Sequence, residues 1–192
     1  SKTVFTYTGD VITKQEVFDV DAQGKETKTK EANYTYENGK IKTRVLKTNF
    51  TPQYPDGYFI DKMVYTHTSN ELISFVKYSV DKDTKAETKS IDGSFTYADG
   101  NLIKYTAGAS VYVYEYEAKN NPLKNILGFN LLLNEISEMG KNNVAKINAK
   151  PSPSSPEANY LKSYIYNDKD YPTKHTSYAN DGSIEFEITY TY

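Results

Sequence analysis

One short pattern recurs along this chain and limits its fold more than any other feature. In "NYTYENGKIKT", Asn33 to Thr43, and "SFTYADGNLIKY", Ser94 to Tyr105, an aromatic-x-Tyr run meets Asn-Gly or Asp-Gly, then an aliphatic residue with lysine close behind. A looser copy, "FTYTGDVITK", runs from Phe5 to Lys14. Side chains alternate sides along a strand, so Tyr34 and Tyr36 lie on one face, as do Phe95 and Tyr97. Asn38-Gly39 and Asp99-Gly100 supply the positive φ that a two-residue hairpin turn demands. Each copy reads as a β-hairpin with one ring-bearing face.

Tyr7, Tyr36, Tyr65 and Tyr97 end such runs at spacings of 29, 29 and 32 residues. Self-similarity at a fixed period of this size marks an array of one supersecondary unit. Later copies are degenerate. "VYVYEYEAKNNPLK" puts Tyr112, Tyr114 and Tyr116 on one face before Asn120-Asn121-Pro122, and "SYIYNDKDYPTKHTSY" repeats the plan with Tyr164, Tyr166 and a turn at Asp168 to Asp170. "SIEFEITYTY" is a last alternating strand after Asn180-Asp181-Gly182. Runs counted between turns predict about a dozen strands, hairpin-linked and hence antiparallel. The expected fold is all-β, a single domain over residues 1–192 built as an up-and-down meander. Lone hairpins are marginal in water and open edges invite aggregation, so the sheet is expected to curl into a barrel or half-barrel, its rings mostly inward.

Two stretches break the alternation. From Pro122 to Gly140, Leu123, Ile126, Leu127, Leu131, Leu132, Ile136 and Met139 recur at spacings of three and four between Pro and Gly, which predicts an inserted helix over about 122–139. A barrel of about 12 strands is too wide for side chains to fill, and this apolar segment is the expected plug or cover. From Asn148 to Asn159 the Pro/Ser-rich "NAKPSPSSPEAN" reads as a flexible loop.

Composition narrows the function. With 23 basic and 25 acidic residues, there is no positive excess to gather phosphates, so nucleic acid is not an expected partner. The chain has no cysteine, hence no disulfide, thiolate nucleophile or Cys-based metal site. No run of 18 apolar residues marks a transmembrane helix. Mean hydropathy is −0.71 and the faces opposite the rings read Thr, Lys, Glu and Ser, which argues against a lipid-facing barrel. The chain opens with Ser1 rather than Met, which reads as a processed product. Nineteen tyrosines and eight phenylalanines supply the apolar bulk.

"YTYENGKI", "FTYADGNL" and "YEYEAKNNPLKN", followed by "NLLLNEISEMGKNNVAKI" and "YIYNDKDYPTK", resemble the Tyr-rich repeats of secreted lipoproteins from Bacteroidetes and flavobacteria. That domain family has no known function and is described as porin-like in fold. More distantly, the segments resemble the tyrosine-aspartate repeats of Rhs shell proteins, without the Gly-Arg-Leu that closes those repeats. The likeness spans about Phe5 to Tyr192, and Asn-Asn-Pro-Leu-Lys-Asn and Lys-Asn-Asn are its most specific parts. It implies a porin-like barrel or half-barrel and a secreted or cell-envelope location, with lipid anchoring through a cysteine upstream of Ser1. It implies no activity and carries over no catalytic residue.

Chemistry-bearing candidates are few. His67 and His175 stand on predicted strands without acids at ligand spacing. "DVDAQGKE" opens like a calcium loop at Asp19, Asp21 and Gly24, but Lys30 stands where a bidentate Glu is required, and a polar hairpin turn accounts for it. There is no Gly-x-Ser-x-Gly elbow, phosphate loop or dinucleotide fingerprint. No catalytic residue, metal or cofactor is expected. The reading is a monomeric, non-enzymatic binding or scaffold protein, with Tyr54, Tyr58, Tyr171 and Tyr178 as a stacking platform for a glycan or another small ligand. The alternative is a hydrolase using carboxylates in the barrel lumen.

Overall fold

The computed structural model describes residues 1–133 and 140–192. Its strands are β1 (Lys2–Thr8), β2 (Val11–Val20), β3 (Glu26–Glu37), β4 (Lys40–Thr48), β5 (Phe59–His67), β6 (Leu72–Val80), β7 (Glu87–Ala98), β8 (Asn101–Ala107), β9 (Ser110–Asn120), β10 (Asn142–Lys150), β11 (Ala158–Tyr166), β12 (Pro172–Tyr178) and β13 (Ile184–Thr189). They follow sequence order in one 13-stranded sheet. The up-and-down antiparallel meander read from the repeat is what forms, with 13 strands where about a dozen were expected. The strand order is open, with β1 and β13 at its two ends, not the closed order of a barrel.

The chain forms two compact units. One comprises Ser1–His67 with Ser74–Asp92, the other Thr68–Ile73 with Gly93–Tyr192. In the first, Asn38 and Gly39 both hold positive φ, +52° and +74°, so the β3–β4 turn has the backbone its sequence demands. Ile12, Ala32, Tyr34, Ile41, Met63, Tyr65 and Phe75 form the core. Charged residues form a chain of ion pairs: Glu16 pairs with Lys14 and Lys28, and Glu31 with Lys28 and Lys47. In the second unit, Asp99 and Gly100 repeat the turn at +51° and +80°. Phe95, Leu102, Phe129, Leu132 and Val144 are buried there.

One irregularity recurs. The register shifts just before Tyr7↔Ile12, Tyr36↔Ile41, Tyr97↔Leu102 and Tyr166↔Pro172, so a tyrosine faces a buried aliphatic or Pro within the first two residues of each return strand across a bulge. A bulge leaves a backbone group without its ladder partner. Here a ring from a later strand takes up the carbonyl: the Tyr36 hydroxyl donates to Ile12 O at 2.6 Å, and His67 Nε2 to Ile41 O at 2.8 Å. In the second unit Tyr116 donates to Leu102 O, Tyr164 to Val144 O and Tyr192 to Pro172 O, each at 2.8 Å. All five acceptor residues are fully buried. Burial pushes the Tyr36 hydroxyl up to about 12 and raises those of Tyr116 and Tyr164 as well, so these donors stay protonated. The repeat is rich in Tyr rather than Phe because the ring fills the core and its hydroxyl ties one hairpin to the next. Tyr36→Phe should therefore cost about 1 kcal/mol by leaving a buried carbonyl unpaired, measured by urea denaturation beside Tyr7→Phe, whose 40% exposed ring should tolerate the change.

The expected helix is corrected. Residues 122–133 form two single-turn 3-10 helices, Pro122–Asn125 and Phe129–Leu131, instead of a continuous α-helix. Gly128 between them is left-handed at φ +70°, and Leu133 follows at +55°. Apolar spacings of three and four suit a string of 3-10 turns as well as an α-helix, and a left-handed residue ends either. The remainder of the expected helix, 134–139, lies outside the described residues. Phe129 and Leu132 go inward, at 4% and 0% exposure, whereas Leu127 stays 57% exposed. The Pro/Ser-rich loop is shorter than read, 151–157, because 148–150 continue β10 and 158–159 begin β11. Ser152 Oγ accepts from the Ser155 amide at 3.1 Å within it.

Candidate functional site

In an up-and-down meander every second connection falls at the same end of the sheet, so the β4–β5 and β6–β7 connections can meet. Both lie in the first unit. The β4–β5 loop is held by its own backbone: Thr51 and Tyr54 exchange amide-to-carbonyl bonds at 3.2 and 3.0 Å, and the Tyr58 amide donates to Thr48 O at 2.9 Å. Gly57 holds φ +83°, and a Cβ there would meet Thr48 O at 2.9 Å, so the loop's shape needs a glycine. The β6–β7 turn is closed by Asp81 Oδ1, which accepts from the Asp83 amide, the Thr84 amide and the Thr84 hydroxyl. Those bonds, from Thr84 foremost, lower the Asp81 carboxyl, which therefore stays charged and keeps accepting.

These loops build an aromatic corner. Tyr54 and Tyr58 meet edge-to-face at 4.8 Å, Tyr58 and Phe59 at 5.1 Å, and the Lys82 amine stands 5.3 and 5.8 Å from the Tyr54 and Tyr58 rings. Asp83, bonded to Lys82 at 2.6 Å, holds that amine above the usual lysine range. Tyr58 is 42% and Phe59 59% exposed, large rings left in water beside a cavity of about 450 Å³ lined by Lys47, Tyr54, Pro55, Lys82 and Lys85. Exposed ring surface, an ammonium and nearby carboxylates can hold a ligand with apolar C–H faces and many hydroxyls.

Of the four tyrosines singled out in the sequence, Tyr54 and Tyr58 are brought together. Tyr171 and Tyr178 belong to the second unit, at opposite ends of β12. Tyr171 packs on Tyr192 at 5.7 Å, accepts a hydrogen bond from Asn125 Nδ2 at 2.9 Å and lies under Lys124. Tyr178 hydrogen-bonds Ser163 at 3.2 Å. Phe59 and Lys82 were missed by sequence reasoning, although the alternation of connections in a meander would have pointed to Lys82.

The fold resembles that of a porin-like protein. The solved structure, from Bacteroides vulgatus, matches with a TM-score of 0.64 and 13% identity over 99% of this chain and 86% of that one. No protein-family model and no curated protein matches the chain.

The other motifs have structural partners. Asn143 Nδ2 donates to Asn120 O and Glu117 Oε1, both at 2.9 Å, Asn142 Nδ2 to Lys119 O at 3.1 Å, and the Asn121 amide to Lys141 O at 3.3 Å. The Asn-Asn-Pro and Lys-Asn-Asn segments thus clasp each other. Asp21 Oδ1 accepts from the Gln23 and Lys25 amides, the geometry of a polar hairpin turn. Among the described residues no three His, Asp or Glu side chains group as metal ligands. His67 is one of the carbonyl ties. His175 is buried at 0% exposure, and neither ring nitrogen has a hydrogen-bond partner.

Proposed function

We propose that this chain is a non-enzymatic binding module of the cell envelope that holds a carbohydrate against Tyr54, Tyr58 and Phe59. The exposed aromatic corner carries this reading, because these rings differ from the tyrosines that tie hairpins together. Tyr58 and Phe59 stay in water, with the half-buried Tyr54 behind them, beside an amine and a cavity. The envelope assignment rests on the porin-like neighbour from Bacteroides vulgatus and on the Tyr-repeat resemblance to secreted lipoproteins, with anchoring through a lipidated cysteine upstream of Ser1. No helix among the described residues is long and apolar enough to cross a bilayer, a finding that concerns helices only. Lysines pair with Glu16 and Glu31, whose carboxyls lie below the usual range, so neither of these two is a protonated general acid.

The test is a glycan array followed by calorimetry. A bound oligosaccharide should lose at least about tenfold in affinity on Tyr58→Ala or Tyr54→Ala, in keeping with about 1–3 kcal/mol for a ring stacked on a ligand. Circular dichroism of the variants should be unchanged. Failure of every glycan to bind, or binding indifferent to both changes, rejects the site.

A further inference from the structure

His175 is a buried polar group with nothing to satisfy it. Its ring is stacked on Tyr164 of β11 at 4.8 Å and 15°, and Phe186 of β13 meets it edge-on at 5.6 Å. Neither nitrogen has a partner at 0% exposure. Register puts Tyr164, His175 and Ile188 in one cross-strand row and Lys162, Ser177 and Phe186 in the next. Buried polar atoms in folded proteins are nearly always paired, so an imidazole held this way needs an explanation. It is not an apolar filler: among the described residues it is the one fully buried side chain that can gain a charge in mildly acidic water.

We propose that His175 is an acid-sensitive latch: protonated, it can no longer stay between Tyr164 and Phe186, and β13 separates from β12.

The groups around the ring support this direction. From β11, Lys162 and Tyr164 face it. Burial lowers the Lys162 amine to about 8, with Glu185 pulling it back up, so it is mostly a cation at neutral pH and repels a second one. Burial raises the Tyr164 hydroxyl, which stays neutral and donates to Val144 O. From β13 the one acid near this face is Glu185, which accepts from Ser177 Oγ at 3.3 Å. Tyr190, Tyr116 and Glu117 act on Tyr164. Among the described residues no carboxylate is paired with the His175 ring, and Glu185 is held by Ser177. Burial, then Lys162, lowers His175 to about 4 from its ordinary 6.5. The latched state is thus fully stable above pH 6.5 and loses stability as pH falls toward 4, where the open state has taken up its proton and the closed one has not.

Another group on β13 titrates in acid. Lys174 and Thr176 hold Glu187 at 2.7 and 3.1 Å and lower its carboxyl, which also weakens β13 once protonated. The experiment must separate the two.

The test is residue-resolved amide hydrogen exchange on the full chain at pH 7.0 and 4.5, corrected for the intrinsic rate. The values 6.5 and about 4 set a loss of β13 protection on the order of tens of fold between those pH values. In His175→Leu that loss should shrink to the smaller part due to Glu187, and in Lys162→Met it should be intermediate. Unchanged β13 protection in the wild type overturns the proposal, as does an equal loss in His175→Leu. If His175→Leu does not fold, carbon-13 titration of His175 in the wild type decides: a midpoint near 6.5 with β13 still protected below it overturns the latch, and a midpoint well below 5 that coincides with loss of β13 protection supports it.

Discussion

Tyr65→Ala should lower the unfolding free energy by about 3–5 kcal/mol, the cost typical of removing a buried aromatic ring. Tyr65 is 1% exposed and packs with Met63, whose sulfur accepts its hydroxyl at 3.4 Å. It holds the same place in its repeat as the buried Tyr34 and Phe95, two residues before Tyr36, His67 and Tyr97. The cavity would be surrounded by hydrogen-bonded strands that cannot close in on it without breaking ladder bonds, which places the cost toward the upper end. Urea denaturation measures it. A loss below about 1 kcal/mol would mean that the ring does not fill the core. Tyr58→Ala should be nearly neutral in the same assay, since Tyr58 is 42% exposed. The pair separates tyrosines that build the fold from those free to bind.

Lys28→Met should destabilise by about 1–2 kcal/mol at pH 7, more than an exposed ion pair and less than a fully buried one. Glu16 and Glu31 face each other directly across β2 and β3, an unfavourable pairing of like charges. Lys28 makes it tolerable by reaching both, at 2.9 and 2.8 Å, with side chains only 28, 17 and 15% exposed. The hydrogen bond from Lys28, then that from Lys14, lowers Glu16. Burial alone would raise Glu31, but bonds from Lys28 and Asn33 outweigh it and the net direction is down. Depressed carboxyls contribute stability above their unfolded value of 4.5 that is lost as pH falls through the folded one, so the wild type weakens in acid. Without Lys28 the two carboxylates are left to Lys14 and Lys47 and repel each other more, so the first proton binds more readily and lowering the pH from 7 to 5 should weaken the variant less than the wild type. Denaturation midpoints at both pH values check the difference, and parallel pH profiles for variant and wild type would contradict it.

The strands and turns were legible from the residues because both are local. Alternation in Tyr34-Thr35-Tyr36 sets which side chains share a face, and Asn38-Gly39 closes the hairpin with φ values that those two residues adopt cheaply. The segment from Pro122 was misread because spacing cannot tell a 3-10 turn from an α-helical one, and Gly128 decided the matter through its left-handed backbone. Half of the aromatic corner was visible as Tyr54 and Tyr58 near a turn. Lys82 carried no such signal, since its rings lie 24 and 28 residues away in the chain.

By themselves the residues determined the strand count to within one, the antiparallel order and the ring-bearing faces, since period and turn chemistry act within a few positions. Only tertiary structure decided what each ring does. Tyr36 bonds a carbonyl freed by a bulge in another hairpin, Tyr58 stands in water, and His175 lies between two rings with no partner. Burial and hydrogen-bond partners depend on which distant strand lies alongside, and one side chain's surroundings cannot be read from its own neighbours in the chain.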